Sequence, residues 1–151
     1  MGEYRLGNND SSNIDLFRAV VRARLPTRTL DAQGSGHFGA PRGTHTHNGI
    51  DLACYPGTSV YSAVYGEISK IGYPYSHDLK YRYVEVTDIE GLQWRYFYVK
   101  PSVKKGDVVD LDTVLGVTQE LPYEGITQHC HLEIKDVNGD FLDPTERAAH
   151  P

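Results

Sequence analysis

The sequence predicts a mainly β domain, an antiparallel sheet core preceded by one N-terminal amphipathic helix. Three observations carry that expectation. Tyrosine is abundant, with 11 residues, and strong helix formers are sparse, a balance that suits pleated, half-buried surfaces. From Asp51 onward, short alternating or β-branched segments are separated by turn residues. Residues 128–134 alternate, which puts His129 and His131 on one strand face and Cys130, Leu132 and Ile134 on the other.

At 151 residues the chain has the length of one domain with a real core. It is 39% hydrophobic and 23% charged, as a globular protein is. The net charge of -5, with no long basic run, argues against nucleic acid or an anionic membrane surface as a partner. No apolar run approaches the roughly 20 residues that span a bilayer. The opening residues carry no charged-then-apolar secretory pattern. Leu6 stands where lipidation at Gly2 would need Ser or Thr. Such a start fits a secreted mature form and a cytoplasmic or effector product alike. Two cysteines are too few for a disulfide framework.

Residues 1–12 read as a polar tail ending in helix-capping candidates. Ile14, Phe17, Val20, Val21 and Leu25 recur at helical spacing, with Arg18, Arg22 and Arg24 mostly off the stripe, and Pro26 stops the pattern. The spacing therefore predicts a helix over about 12–25, docked by its apolar face. That divides the chain into a tail and helix, 1–26, and a β domain, 27–151. Residues 27–42 read as loop. Gly34, Gly36 and Gly39 formally match a dinucleotide fingerprint, but no strand precedes them, no helix follows, and Pro41 comes at once. A glycine-rich loop passing close to a site is the better reading.

Strands are expected over 58–64 and 67–72 around a Tyr65-Gly66 turn. A hairpin is expected over 81–86 and 92–99, then one or two strands over 108–118. The strand with His129 and His131 follows, and Asn138-Gly139 makes a hairpin turn before Phe141–Asp143 closes the sheet. Asp136, Asn138 and Asp140 lack the rest of a calcium loop, so the turn reading stands there.

The chemistry concentrates in two stretches. One is the His129/His131 strand. The other is 44–51, where Gly49, Ile50 and Pro56 argue against helix. In an extended loop entering a strand, His47, Gly49 and Asp51 lie on one side while Ile50 and Leu52 face the core. His47, Asp51 and His131 offer two imidazoles and a carboxylate. Such a set suits Zn²⁺ with a fourth, open position, the arrangement of a catalytic site. Nitrogen and oxygen donors without thiolate favour zinc over iron or copper. His129, on the same face as His131, is placed to serve as a base or an oxyanion donor. Cys130 points away from the metal by strand parity. His45 shares the parity of His47 and reads as an exposed loop residue.

These residues resemble a known family. Gly36-His37-Phe38-Gly39 with Arg42, His47-x-Gly49-Ile50-Asp51, His129-x-His131-Leu132-Glu133-Ile134 and Asp143-Pro144 look like the lysostaphin-type zinc metallopeptidases, which cut peptidoglycan cross-bridges. The resemblance covers about residues 34–145. It implies the duplicated-hybrid-motif β fold, one zinc ion held by His47, Asp51 and His131, and His129 as one of two catalytic histidines. The family's other catalytic histidine lies in a Tyr-x-His-Leu stretch. Here that stretch reads Tyr96-Phe97-Tyr98-Val99, with Tyr98 at the histidine's place. Val60–Ala63, Phe97–Pro101 and Tyr123–His131 resemble the chemotaxin-like branch of the family, which keeps the zinc site and is regarded as lacking peptidase activity. The resemblance thus implies a weakly active or inactive module recognising a peptide, peptidoglycan or protein ligand, or else an active zinc-dependent peptidoglycan endopeptidase. His77, in the loop before the hairpin, reads as a solvated residue, not a replacement for the missing histidine.

Overall fold

A computed structural model describes residues 19–22, 30–31, 34–35, 41–42, 45–46, 48–122 and 126–144, with only the backbone given between 30 and 46. Two short antiparallel pairs come first: β1 (Leu30–Asp31) with β2 (Gly34–Ser35), and β3 (Pro41–Arg42) with β4 (His45–Thr46). The expectation of continuous loop over 27–42 is therefore corrected. Two-residue ladders are too short to show any period in sequence.

The remaining strands are β5 (Ile50–Ala53), β6 (Ser59–Tyr61), β7 (Gly66–Gly72), β8 (Tyr83–Asp88), β9 (Gln93–Phe97), β10 (Val99–Pro101), β11 (Val108–Val109), β12 (Val114–Thr118), β13 (His129–Lys135) and β14 (Phe141–Leu142). Seven of them form one antiparallel sheet in the order β11-β7-β8-β9-β13-β14, with β5 also paired to β13. Three form a second sheet, β10-β12-β6. β13 is the hinge of the arrangement. It carries β9 along one edge, and β5 then β14 along the other.

Alternation sorts the faces of the large sheet. Ile50, Leu52, Ile68, Val84, Val86, Trp94, Tyr96, Leu132 and Ile134 are buried in one core with Val60, Val99 and Leu115 of the small sheet. The sheets are tied across this core by a hydrogen bond from the Ala63 N–H to the Tyr96 hydroxyl, 2.9 Å. Asp51, His129, His131 and Glu133 project from the opposite face, as the period of two requires.

The predicted helix over 12–25 lies mostly outside the described residues, and its expected end is corrected: Val21 is a turn residue and Arg22 is not helical, so the helix stops at Val20. Ala19 and Val20 are helical, and Val20 and Val21 are buried in the same core. Arg22, at φ 52°, lays its guanidinium 3.6 Å from the Tyr61 ring centroid and donates to the Leu111 carbonyl.

Two further expectations are corrected. Gly66 is not a turn residue: it opens β7. A Cβ there would meet the Thr87 carbonyl oxygen at 2.4 Å, so glycine is what lets β8 approach. The strand expected over 92–99 is broken at Tyr98. That residue has φ 67°, in the left-handed region that bulky side chains avoid. The turn is held by the Tyr98 N–H donating to Arg82 O at 2.8 Å and the Gln119 N–H donating to Tyr98 O at 2.8 Å. It sends Val99 into the second sheet.

Candidate metal and catalytic centre

The site is built on adjacent strands. Register places Asp51 directly opposite His131 across β5 and β13, and Phe97 opposite His131 across β13 and β9. Cross-strand partners share a face at close range, so a carboxylate separated from the histidine by much of the chain is delivered to its side. His131 Nδ1 lies 2.8 Å from Asp51 Oδ1. Its other nitrogen, Nε2, lies 3.0 Å from Glu133 Oε1. Phe97 stands edge-on to the imidazole, ring centroids 5.1 Å apart. Asp51 is 1% exposed and Glu133 8%.

Carboxylate oxygens only accept hydrogen bonds when ionised. A neutral imidazole has one N–H, so it satisfies one of these two neighbours and turns a lone pair on the other. The arrangement is stable with a second proton on the ring or with a cation between Nδ1 and Asp51. Burial alone would lower the pKa of His131, but the hydrogen bonds to Asp51 and Glu133 outweigh it and carry the pKa up to about 9. The nitrogen and carboxylate pair facing each other here is also the donor chemistry that a divalent zinc ion takes. Asp51 and His131 thus fit a metal. The third expected ligand, His47, lies outside the described residues. Among the described residues no group of three or more His, Cys, Asp or Glu is arranged to hold a metal by itself.

His129 is buried, at 4% exposure. Its Nδ1 lies 2.6 Å from the Thr127 carbonyl oxygen. A carbonyl cannot donate, so Nδ1 carries the proton and Nε2 carries the lone pair in the neutral ring. Nε2 is 3.5 Å from Asp51 Oδ1. Tyr98 meets His129 edge-on at 5.7 Å between centroids, so the left-handed turn that ends β9 aims a phenol at this histidine. The Tyr98 hydroxyl is 2.8 Å from that of Tyr75, and the Tyr81 ring stands edge-on to both. The His77 ring lies 5.5 Å from the Tyr75 ring.

The structure therefore brings together Asp51, His129, His131 and Tyr98, four of the five site residues expected from sequence. Two neighbours were not singled out. Glu133 follows His129 and His131 at the same parity, a signal that was present in the alternation. Tyr75 sits in the 73–80 loop, where no periodicity points to it. Cys130 is buried in the core, and burial pushes its thiol well above the ordinary value. Cys54, also free, is pushed up to about 11.

Comparison with known proteins is consistent with this geometry. The profile of Peptidase family M23 matches residues 45–144. Leukocyte cell-derived chemotaxin-2 of Bos taurus is 33% identical over 123 residues, covering 78% of this chain and 76% of that protein. Myeloid protein 1 of Gallus gallus is 32% identical over 145 residues, 87% of this chain but 41% of its own length. Among solved structures, the peptidase lysostaphin from Staphylococcus simulans superimposes with a TM-score of 0.61 at 22% identity, covering 78% of this chain and 48% of that one. A variant of the catalytic domain of the prophage-encoded M23 protein EnpA from Enterococcus faecalis gives 0.61 at 20% identity, covering 83% and 95%. At those identities the two superpositions speak for the fold.

Proposed function

The chain belongs to peptidase family M23, and from that premise we propose that it is a zinc-binding recognition domain of the chemotaxin type, with weak or no peptidase turnover. The ligand is a peptide, peptidoglycan or protein segment lying along the polar face of the large sheet. His47, Asp51 and His131 hold one zinc ion. When bound, the metal supplies a Lewis acid and an acidified water.

The observation that carries the reading is the setting of Tyr98. In the family pattern a second histidine stands at this place. Here a phenol faces His129, its hydroxyl tied to that of Tyr75 at 2.8 Å. A phenol donates a hydrogen bond but titrates near 10 in water, so it is a poor proton acceptor at neutral pH. Among the described residues, His129 is left as the imidazole beside Tyr98 for proton transfer. Loss of one general acid or base commonly costs about 10²–10⁴ in rate.

A second reading, an active peptidoglycan endopeptidase, draws on His129 itself. Its Nδ1–H is spent on Thr127, so the Nε2 lone pair is set on the side of Asp51 as a base would be. One experiment separates the two. Zinc-loaded wild type, Tyr98→His and His131→Ala are mixed with purified peptidoglycan and glycine-rich cross-bridge peptides, and released amines are followed. The recognition reading expects cleavage only from Tyr98→His, or from none of the three. Robust wild-type cleavage that His131→Ala abolishes contradicts it and establishes the endopeptidase.

A further inference from the structure

His131 is gripped on both ring nitrogens, and the grip on Nε2 comes from Glu133. This carboxylate lies two residues along β13, on the same face, 3.0 Å from Nε2. Its burial is costly unless the charge is matched. Arg95 is its cross-strand partner in register, yet the ion pair that Arg95 makes is with Glu85. Arg95 Nε donates to Glu85 Oε2 at 2.7 Å, and Ser69 Oγ donates to Glu85 Oε1 at 2.8 Å. The group that answers Glu133 is the imidazole N–H.

The backbone is shaped around the same pair. A Cβ on Gly49 would stand 3.0 Å from His131 Cε1, 3.0 Å from Glu133 Cβ and 2.2 Å from the Leu132 carbonyl oxygen. Only glycine lets the entry to β5 close over the ring and its carboxylate.

We propose that Glu133 is a positioning residue for His131: by accepting the Nε2–H it fixes the tautomer whose Nδ1 lone pair faces Asp51, and it holds the ring in the plane that a metal on that side requires. Carboxylates that take the distal N–H of a metal-bound imidazole orient the ligand and raise its basicity, and losing one typically lowers metal affinity by about 10–100-fold. The inference rests on the zinc-binding reading above.

The test measures zinc affinity by chelator competition for wild type, Glu133→Gln and Glu133→Met, with the melting of each metal-free protein as a check on folding. Gln keeps an acceptor oxygen at the same reach and is expected to bind close to wild type. Met keeps length without an acceptor and is expected to bind about 10–100-fold more weakly. Nitrogen NMR of the imidazoles in zinc-loaded wild type, which depends on no variant folding, is expected to show His131 protonated at Nε2. Met binding as tightly as wild type, Gln failing as badly as Met, or a His131 proton on Nδ1 each overturns the inference while leaving zinc binding in place. A wild type that binds no zinc overturns the zinc reading itself, and this inference with it.

Discussion

His131 is a partly buried imidazole with a carboxylate on each nitrogen, and the chemistry of the site turns on what occupies the space between Nδ1 and Asp51. With the pKa carried up to about 9, that place is taken by a proton in the metal-free chain at neutral pH. The folded pKa of about 9 lies above the 6.5 of an ordinary imidazole. The pairing therefore contributes fully below about pH 6.5 and is lost as pH rises through about 9. With zinc chelated, the unfolding free energy is expected to fall across that window, by about 3 kcal/mol at most. His131→Gln should flatten the profile, as urea denaturation at successive pH values would show. A profile unchanged by the substitution would contradict the pairing. The His-x-His spacing, with Cys130 turned to the opposite face, was legible in sequence, because a strand's period of two leaves no other arrangement of faces. Glu133 was equally legible by parity. Tyr75 was not, since a loop residue reaches its partner through a path that no local pattern encodes.

Strands and turns set the distances between these side chains, and here the sequence was readable unevenly. The hairpin of β8 and β9, the Asn138-Gly139 turn and the β13 strand follow from alternation and turn chemistry. The break at Tyr98 does not. Residues 93–99 alternate as one strand would, and an aromatic residue gives no notice of a left-handed turn. Hydrogen bonds to Arg82 and Gln119, made by distant segments, hold it there. Such strain at a functional position commonly costs about 1–3 kcal/mol and is maintained by its surroundings. Gly49 makes the opposite case, a small residue demanded by close approach. Gly49→Ala would drive a methyl into the Leu132 carbonyl and the His131 ring. It is expected to destabilise the fold by roughly 1–3 kcal/mol and to weaken zinc binding in the same variant. Thermal melting with and without zinc checks both, and a variant that melts and binds as wild type would refute the packing described.

The two sheets behave as one body because they share one core. That they are two was not evident in sequence, where every strand reads alike and the crossing from β9 to β10 is a single residue. The family resemblance named the fold, which the likeness to lysostaphin bears out, but it did not give the division into two sheets. Tyr96 is the link most exposed to test. Its hydroxyl accepts the Ala63 N–H at 2.9 Å in the interior. Tyr96→Phe leaves that donor without a partner, at an expected cost of about 1–3 kcal/mol. The loss should be read as a lower midpoint in urea with an unchanged slope. No change in midpoint would mean that this hydrogen bond does not help to join the sheets.

The domain's proposed function stands or falls on a metal between His131 and Asp51, so the decisive measurement is a zinc titration of the metal-free chain by calorimetry, run at pH 7.5 in buffers of different ionisation enthalpy. His131 is protonated at that pH and must give up its Nδ1 proton to ligate. One zinc per chain, release of about one proton from this histidine, and loss of binding in Asp51→Ala is the predicted result. Failure to bind zinc, or an Asp51→Ala variant that binds as tightly as wild type, would contradict the account.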